Sequence, residues 1–141
     1  MSTRSEIIIK RQWTHHETGK KHTDKVKLYH HHDGYPSGVG KFLMDNIYPE
    51  IQRSNNLDVE DIANKLIKHP EDNEYELTLY YHTDIEYQYV IDLNRKTIQC
   101  FAGHYNSFFD SGKEPKRFVF TKTKECDLKE FLPVNPKVLF R

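Results

Sequence analysis

Three consecutive histidines, His30-His31-His32, run directly into Asp33-Gly34. On a strand, side chains alternate, so His30 and His32 point to the same side. With the Asp33 carboxylate they would supply three ligands, the number a catalytic zinc ion takes from its protein. His82, Asp84 and His104 would join them from neighbouring strands. The run is internal and fits no standard zinc motif, so surface or core-capping histidines are its default reading.

The next residues offer a different chemistry. Asp33-Gly34-Tyr35-Pro36-Ser37-Gly38-Val39-Gly40 holds three glycines and a proline, the composition of a structured turn, and Lys41 follows. A glycine-rich turn leading into a helix presents backbone N–H groups and the positive end of a helix dipole. Asp33, Gly34, Tyr35, Pro36, Gly38, Gly40 and Lys41 are therefore candidates to bind a phosphate-bearing ligand. Their spacing matches neither a P-loop nor a dinucleotide fingerprint, and a plain strand-to-helix bend competes with this reading. Ser37 as a nucleophile fails on spacing, because Gly34-Tyr35-Pro36-Ser37-Gly38 is not a nucleophile elbow. The acidic pairs Glu60-Asp61 and Glu71-Asp72 read as capping and solubilising groups.

Aromatic residues reach 13%, with nine Tyr and eight Phe. Tyr80, Tyr81, Tyr87 and Tyr89 fall on adjacent predicted strands, and Tyr105, Phe108 and Phe109 follow. Tyrosine buries large area at low entropic cost and keeps a polar handle, which suits a protein interface. A core face plus a half-exposed sheet surface would account for the same tyrosines.

The elements that must position these groups follow from pattern. Ile7-Ile8-Ile9 centres a strand over 6–12, and alternation predicts a second over 24–31, joined by a polar hairpin loop. A helix should start near Val39 and end or kink at Pro49. A second helix runs from about Val59 to Lys68, with Asp58 as N-cap and Pro70 closing it. Strands over 75–82, 87–92 and 97–103 have short connections and read as an antiparallel meander. A short edge strand over 117–121 and a helical turn over 127–131 complete the chain. The expectation is one α+β domain over residues 1–141: a mostly antiparallel sheet of about five strands (hairpin, two helices, three-stranded meander) with the helices on one face.

Charge limits the partners. Lys plus Arg and Asp plus Glu each number 21, for a net charge of zero. Neither the basic excess of a nonspecific nucleic-acid binder nor the acidic excess of a DNA mimic is present. Lys113, Lys116, Arg117, Lys122 and Lys124 crowd the C-terminal third, where a solvated face explains them. Cys100 and Cys126 fit no metal or disulfide pattern, and Cys100 reads as a small core residue. With no signal-peptide pattern and no long apolar run, the expected compartment is the cytoplasm.

Met1-Ser2-Thr3-Arg4, a strand pair, and then Tyr29, His30 or His32, Asp33, Gly34, Tyr35, Pro36 and Gly38 form a pattern. Over about the first 45 residues it resembles a group of small proteins encoded by phages and other mobile elements. These have an STR start and a Tyr-x-His-x-Asp-Gly-Tyr-Pro-x-Gly motif. The resemblance implies an anti-defence role. That would be contact with a host defence protein such as a CRISPR nuclease, or binding or degradation of a signalling nucleotide. The expected function is a non-enzymatic, anti-CRISPR-type inhibitor acting through the tyrosine surface, without a cofactor and as a homodimer. The alternatives are a nucleotide sponge built on the glycine-rich turn and a metal-dependent hydrolase built on His30, His32 and Asp33.

Overall fold

Ile7, Ile8 and Ile9 are stiff at χ1 and favour extended backbone, and they lie in the strand around which the sheet is organised. A computed structural model describes residues 3–72, 74–79, 82, 85–103 and 120–124, with backbone alone for 101–103 and 120–124. The fold is α+β, with a mostly antiparallel sheet and helices packed on one face. Strands β1 (Arg4–Thr14) and β2 (Lys21–His30) form a long hairpin. A wide π turn at Pro36–Gly40 leads into α1 (Lys41–Asn46), α2 (Tyr48–Arg53) and α3 (Val59–Ile67). Strands β3 (Tyr75–Leu77), β4 (Ile85–Asp92), β5 (Thr97–Gly103) and β6 (Phe120–Lys124) follow.

The sheet order is β3-β2-β1-β4-β5-β6. This corrects the expected meander, because β3 pairs with β2 at one edge while β4 pairs in parallel with β1. The strand expected over 75–82 stops at Leu77. Pro49 opens a helix rather than closing one: it sits in the first turn of α2, where its missing N–H costs nothing.

One sheet face carries Ile7, Ile9, Leu28, Tyr89, Ile91, Ile98 and Cys100, all buried. Leu43, Ile47, Ile51, Ile62 and Leu66 from the helices close over it. Each such side chain contributes about 1.5–3 kcal/mol when fully buried. α3 is anchored by a capping box, in which Asp58 accepts from the Asp61 N–H and Asp61 from the Asp58 N–H. Asp61 therefore caps, as its position suggested. Cys100 is buried in the core, also as expected.

Candidate functional site

His30 is the last residue of β2, and the hairpin register puts Ser5 beside it on one side and Tyr75 on the other. All three are buried on the helix-covered face. Ser5 Oγ, His30 Nδ1 and Tyr75 Oη have no hydrogen-bond partner among the described residues. Buried polar atoms without partners are uncommon and costly, and three in adjacent strand positions make a polar floor within an apolar core. Burial, and then the Asp72 charge, push the Tyr75 hydroxyl well above the ordinary tyrosine range.

The other ring nitrogen of His30 is engaged. Nε2 lies 2.9 and 3.1 Å from the two Asp72 carboxylate oxygens. Glu74 stands close by, and one ligand atom each from His30, Asp72 and Glu74 lie within 4.8 Å of one another. Asp72 is held in turn by the Glu74 backbone N–H, which donates to its Oδ1 at 3.1 Å. Asp72 and Glu74 reach His30 because β3 pairs with β2 immediately after them.

A cavity of about 410 Å³ opens onto this cluster, lined by His30, Asp33, Gly38, Val39, Phe42, Glu71, Asp72 and Glu74. Among the described residues, four carboxylates line it and no lysine or arginine does. The glycine-rich turn is thus part of the wall. Asp33 takes a left-handed conformation, with φ of 52°. Its carbonyl accepts from the Val39 N–H at 2.8 Å, and the Tyr35 carbonyl accepts from the Gly38 N–H at 2.9 Å. Gly34 donates to the Thr3 carbonyl, and its own carbonyl accepts from the Tyr89 hydroxyl at 2.7 Å. The N–H groups of Gly38 and Val39 therefore close the turn on itself, and that of Gly34 ties it to Thr3, just ahead of β1. Any Cβ at Gly38 would stand 2.1 Å from the Asp33 carbonyl oxygen.

The Tyr35 hydroxyl donates to Asp33 Oδ1 at 2.9 Å, and that bond, with the Asp33 charge, raises the tyrosine above its ordinary range. Pro36 and Gly40 are buried in the π turn. Lys41 turns away from the cavity and pairs with Asp45 at 2.6 Å.

Of the three residues first named as metal ligands, His30 belongs to the cluster and Asp33 lines the cavity. His32 lies beyond the end of β2 and is exposed, so it does not share a strand face with His30. His82 stacks on Tyr29 at 3.8 Å, on the sheet face opposite the cluster. Asp84 and His104 lie outside the described residues. Asp72, Glu74 and Glu71 were missed as site residues. Their signal is the acidic run Glu71-Asp72-Asn73-Glu74 just ahead of a strand, of which Glu71-Asp72 reads from sequence as a capping and solubilising pair.

The tyrosine surface divides differently. Tyr87 and Tyr89 are buried, Tyr89 completely, and belong to the core. Tyr80, Tyr81, Tyr105, Phe108 and Phe109 lie outside the described residues, as do Lys113, Lys116 and Arg117. The exposed large apolar side chains among the described residues are Trp13, Leu77 and Leu79.

Comparison with protein-family models, curated proteins and solved structures returned no match. No helix among the described residues is long and apolar enough to cross a membrane.

Proposed function

We propose that this chain binds a divalent metal ion through His30 Nε2, Asp72 and Glu74 and uses it for hydrolysis in the adjoining cavity. The carrying observation is the convergence of one imidazole nitrogen and two carboxylates within 4.8 Å at the wall of an open cavity. A first-row ion about 2.0–2.2 Å from each ligand asks for ligand atoms roughly 3–3.5 Å apart, close to the His30–Asp72 spacing. One nitrogen and two carboxylates suit zinc or manganese better than calcium, which wants six to eight oxygens. Three protein ligands leave a coordination position for water, whose acidity the ion would raise. Asp33 and Glu71 add negative charge around it, favouring a neutral or cationic substrate over a phosphate.

The test is equilibrium dialysis of the full chain against zinc and manganese, followed by elemental analysis. One ion per chain is expected, falling to none in an Asp72→Ala/Glu74→Gln variant that still folds. A wild-type protein that retains no ion would leave His30–Asp72 as a structural pair and end the proposal.

The second reading is the inhibitor-type protein that acts by contact, as the mobile-element resemblance implies. Its support is the β3 edge of the sheet, where Leu77 and Leu79 are 63% and 85% exposed. Edge strands with apolar side chains are templates for pairing with another chain. A stoichiometric partner that copurifies with the wild type and is lost from Leu77→Asp/Leu79→Asp would favour this reading. Copurification unchanged by that variant would remove it.

A further inference from the structure

The β1–β2 hairpin outgrows the sheet. β4 follows β1 only as far as Lys10, and β3 follows β2 only through Leu28 to His30. From Arg11↔Asp24 to Thr14↔Lys21 the two strands pair with no other described strand, and the Asn94 side chain holds the Gln12 backbone at the base of the arm. This arm extends four residue pairs, roughly 13 Å, before its turn. Its residues from Gln12 to Lys25 are exposed apart from a half-buried His15.

The two faces of the arm differ. The helix side carries Trp13 stacked on its cross-strand partner His22, with ring centroids 4.5 Å apart. The other side carries the pairs Lys10↔Lys25, Gln12↔Thr23 and Thr14↔Lys21. Like charges directly opposite each other on a sheet are destabilising, so Lys10 and Lys25 face each other at a cost that an anion would relieve. Lys10 comes within 4.0 Å of Asp92, whereas Lys20, Lys21 and Lys25 form no ion pair among the described residues. At the base of this face a second cavity of about 250 Å³ adds Asn94 and Arg95 to Lys10, Gln12, Thr23 and Asp92.

Net charge conceals this segregation. Residues 10–25 hold five Lys and Arg against two acids, while residues 71–76 hold four acids and no base. The basic arm and the acidic cavity lie at opposite ends of β2.

We infer that this arm is a docking surface for duplex DNA, seated in the major groove with its lysine face toward the base edges. The groove admits a two-stranded β-ribbon. Lysines would reach phosphates and guanine edges, and the central Gln12 and Thr23 have the hydrogen-bonding groups that read bases. The inference does not depend on metal binding at His30.

Trp13 lies on the face opposite the lysines, so binding is read on the DNA rather than on the tryptophan. A fluorescently end-labelled, mixed-sequence duplex of about 20 base pairs, long enough to present a full groove, would be titrated with the full chain. The expected result is a saturable rise in anisotropy at low salt. The logarithm of affinity should fall against log salt with a slope of about −3, for three to four neutralised phosphates. Lys21→Glu/Lys25→Glu should lower affinity at least tenfold and flatten the slope, while circular dichroism and melting stay unchanged. No saturation at low salt, an unchanged affinity in that variant, or tighter binding of a single strand of equal length would each overturn the inference.

Discussion

Asp72 meets His30 with both carboxylate oxygens, across 42 residues of chain and at the seam between β2 and β3. The contact ties a loop to a strand end and places two metal-ligand types at bonding separation. Asp72→Ala should therefore have two consequences. Zinc affinity should drop by more than tenfold, and the ion-free fold should lose about 1–3 kcal/mol, because a buried ring nitrogen would lose its partner. Dialysis and urea melts measure them separately.

Glu74 separates the two effects. It is half-buried, and its one hydrogen bond in view comes from its backbone N–H. Glu74→Gln should weaken metal binding by at least tenfold yet leave stability within about 0.5 kcal/mol. A stability loss as large as that of Asp72→Ala would show that Glu74 is structural.

Gly38→Val tests the cavity wall. With the Asp33 carbonyl oxygen 2.1 Å from any added Cβ, the turn must open to admit a side chain. Overpacking of this kind costs about 1–3 kcal/mol. The melting temperature should fall, and metal binding should weaken with it if the wall moves.

Glu6 gives a pH signature. It is buried on the sheet face away from the helices. Burial raises its pKa above 4.5, against the opposing pull of Lys27 and a hydrogen bond from Gln88. A raised folded pKa contributes stability below the unfolded value and loses it as pH rises through the folded value. Glu6→Gln should match the wild type below pH 4.5 and become the more stable of the two as pH climbs toward neutrality. Urea melts at pH 4 and pH 7 read the difference, and a gap that narrows toward neutrality would contradict it.

Tyr75→Phe removes a buried hydroxyl that has no partner among the described residues. The expected outcome is an unchanged or higher melting temperature, since the phenol brings a desolvation cost with no hydrogen bond to offset it. A clear loss of stability would mean that the hydroxyl is satisfied in solution.

The local elements could be read from the sequence. Asp58 and Pro70 bracket α3, and the isoleucine run centres β1. The pairing of strands could not. Short connections from β3 to β4 suggested neighbours, but β1 and β2 stand between them, and that is decided by long-range packing. The site shared this fate. His30 stands out by type, whereas Asp72 and Glu74 come beside it only through β3 docking on β2, and their acidic run reads as a solvated turn. Tyr87 and Tyr89 looked like surface because alternation alone does not say which face the helices cover.

The parallel pairing of β1 with β4 sets a timetable for biosynthesis. Ile7 must wait for Tyr89 to emerge from the ribosome before that side of its strand is covered. Until then the nascent chain carries a three-isoleucine edge open to any passing strand, a hazard that grows with slow translation of the middle third. Synonymous codons that delay residues 54–84 should therefore raise the insoluble fraction in cells, without changing a single atom of the finished protein.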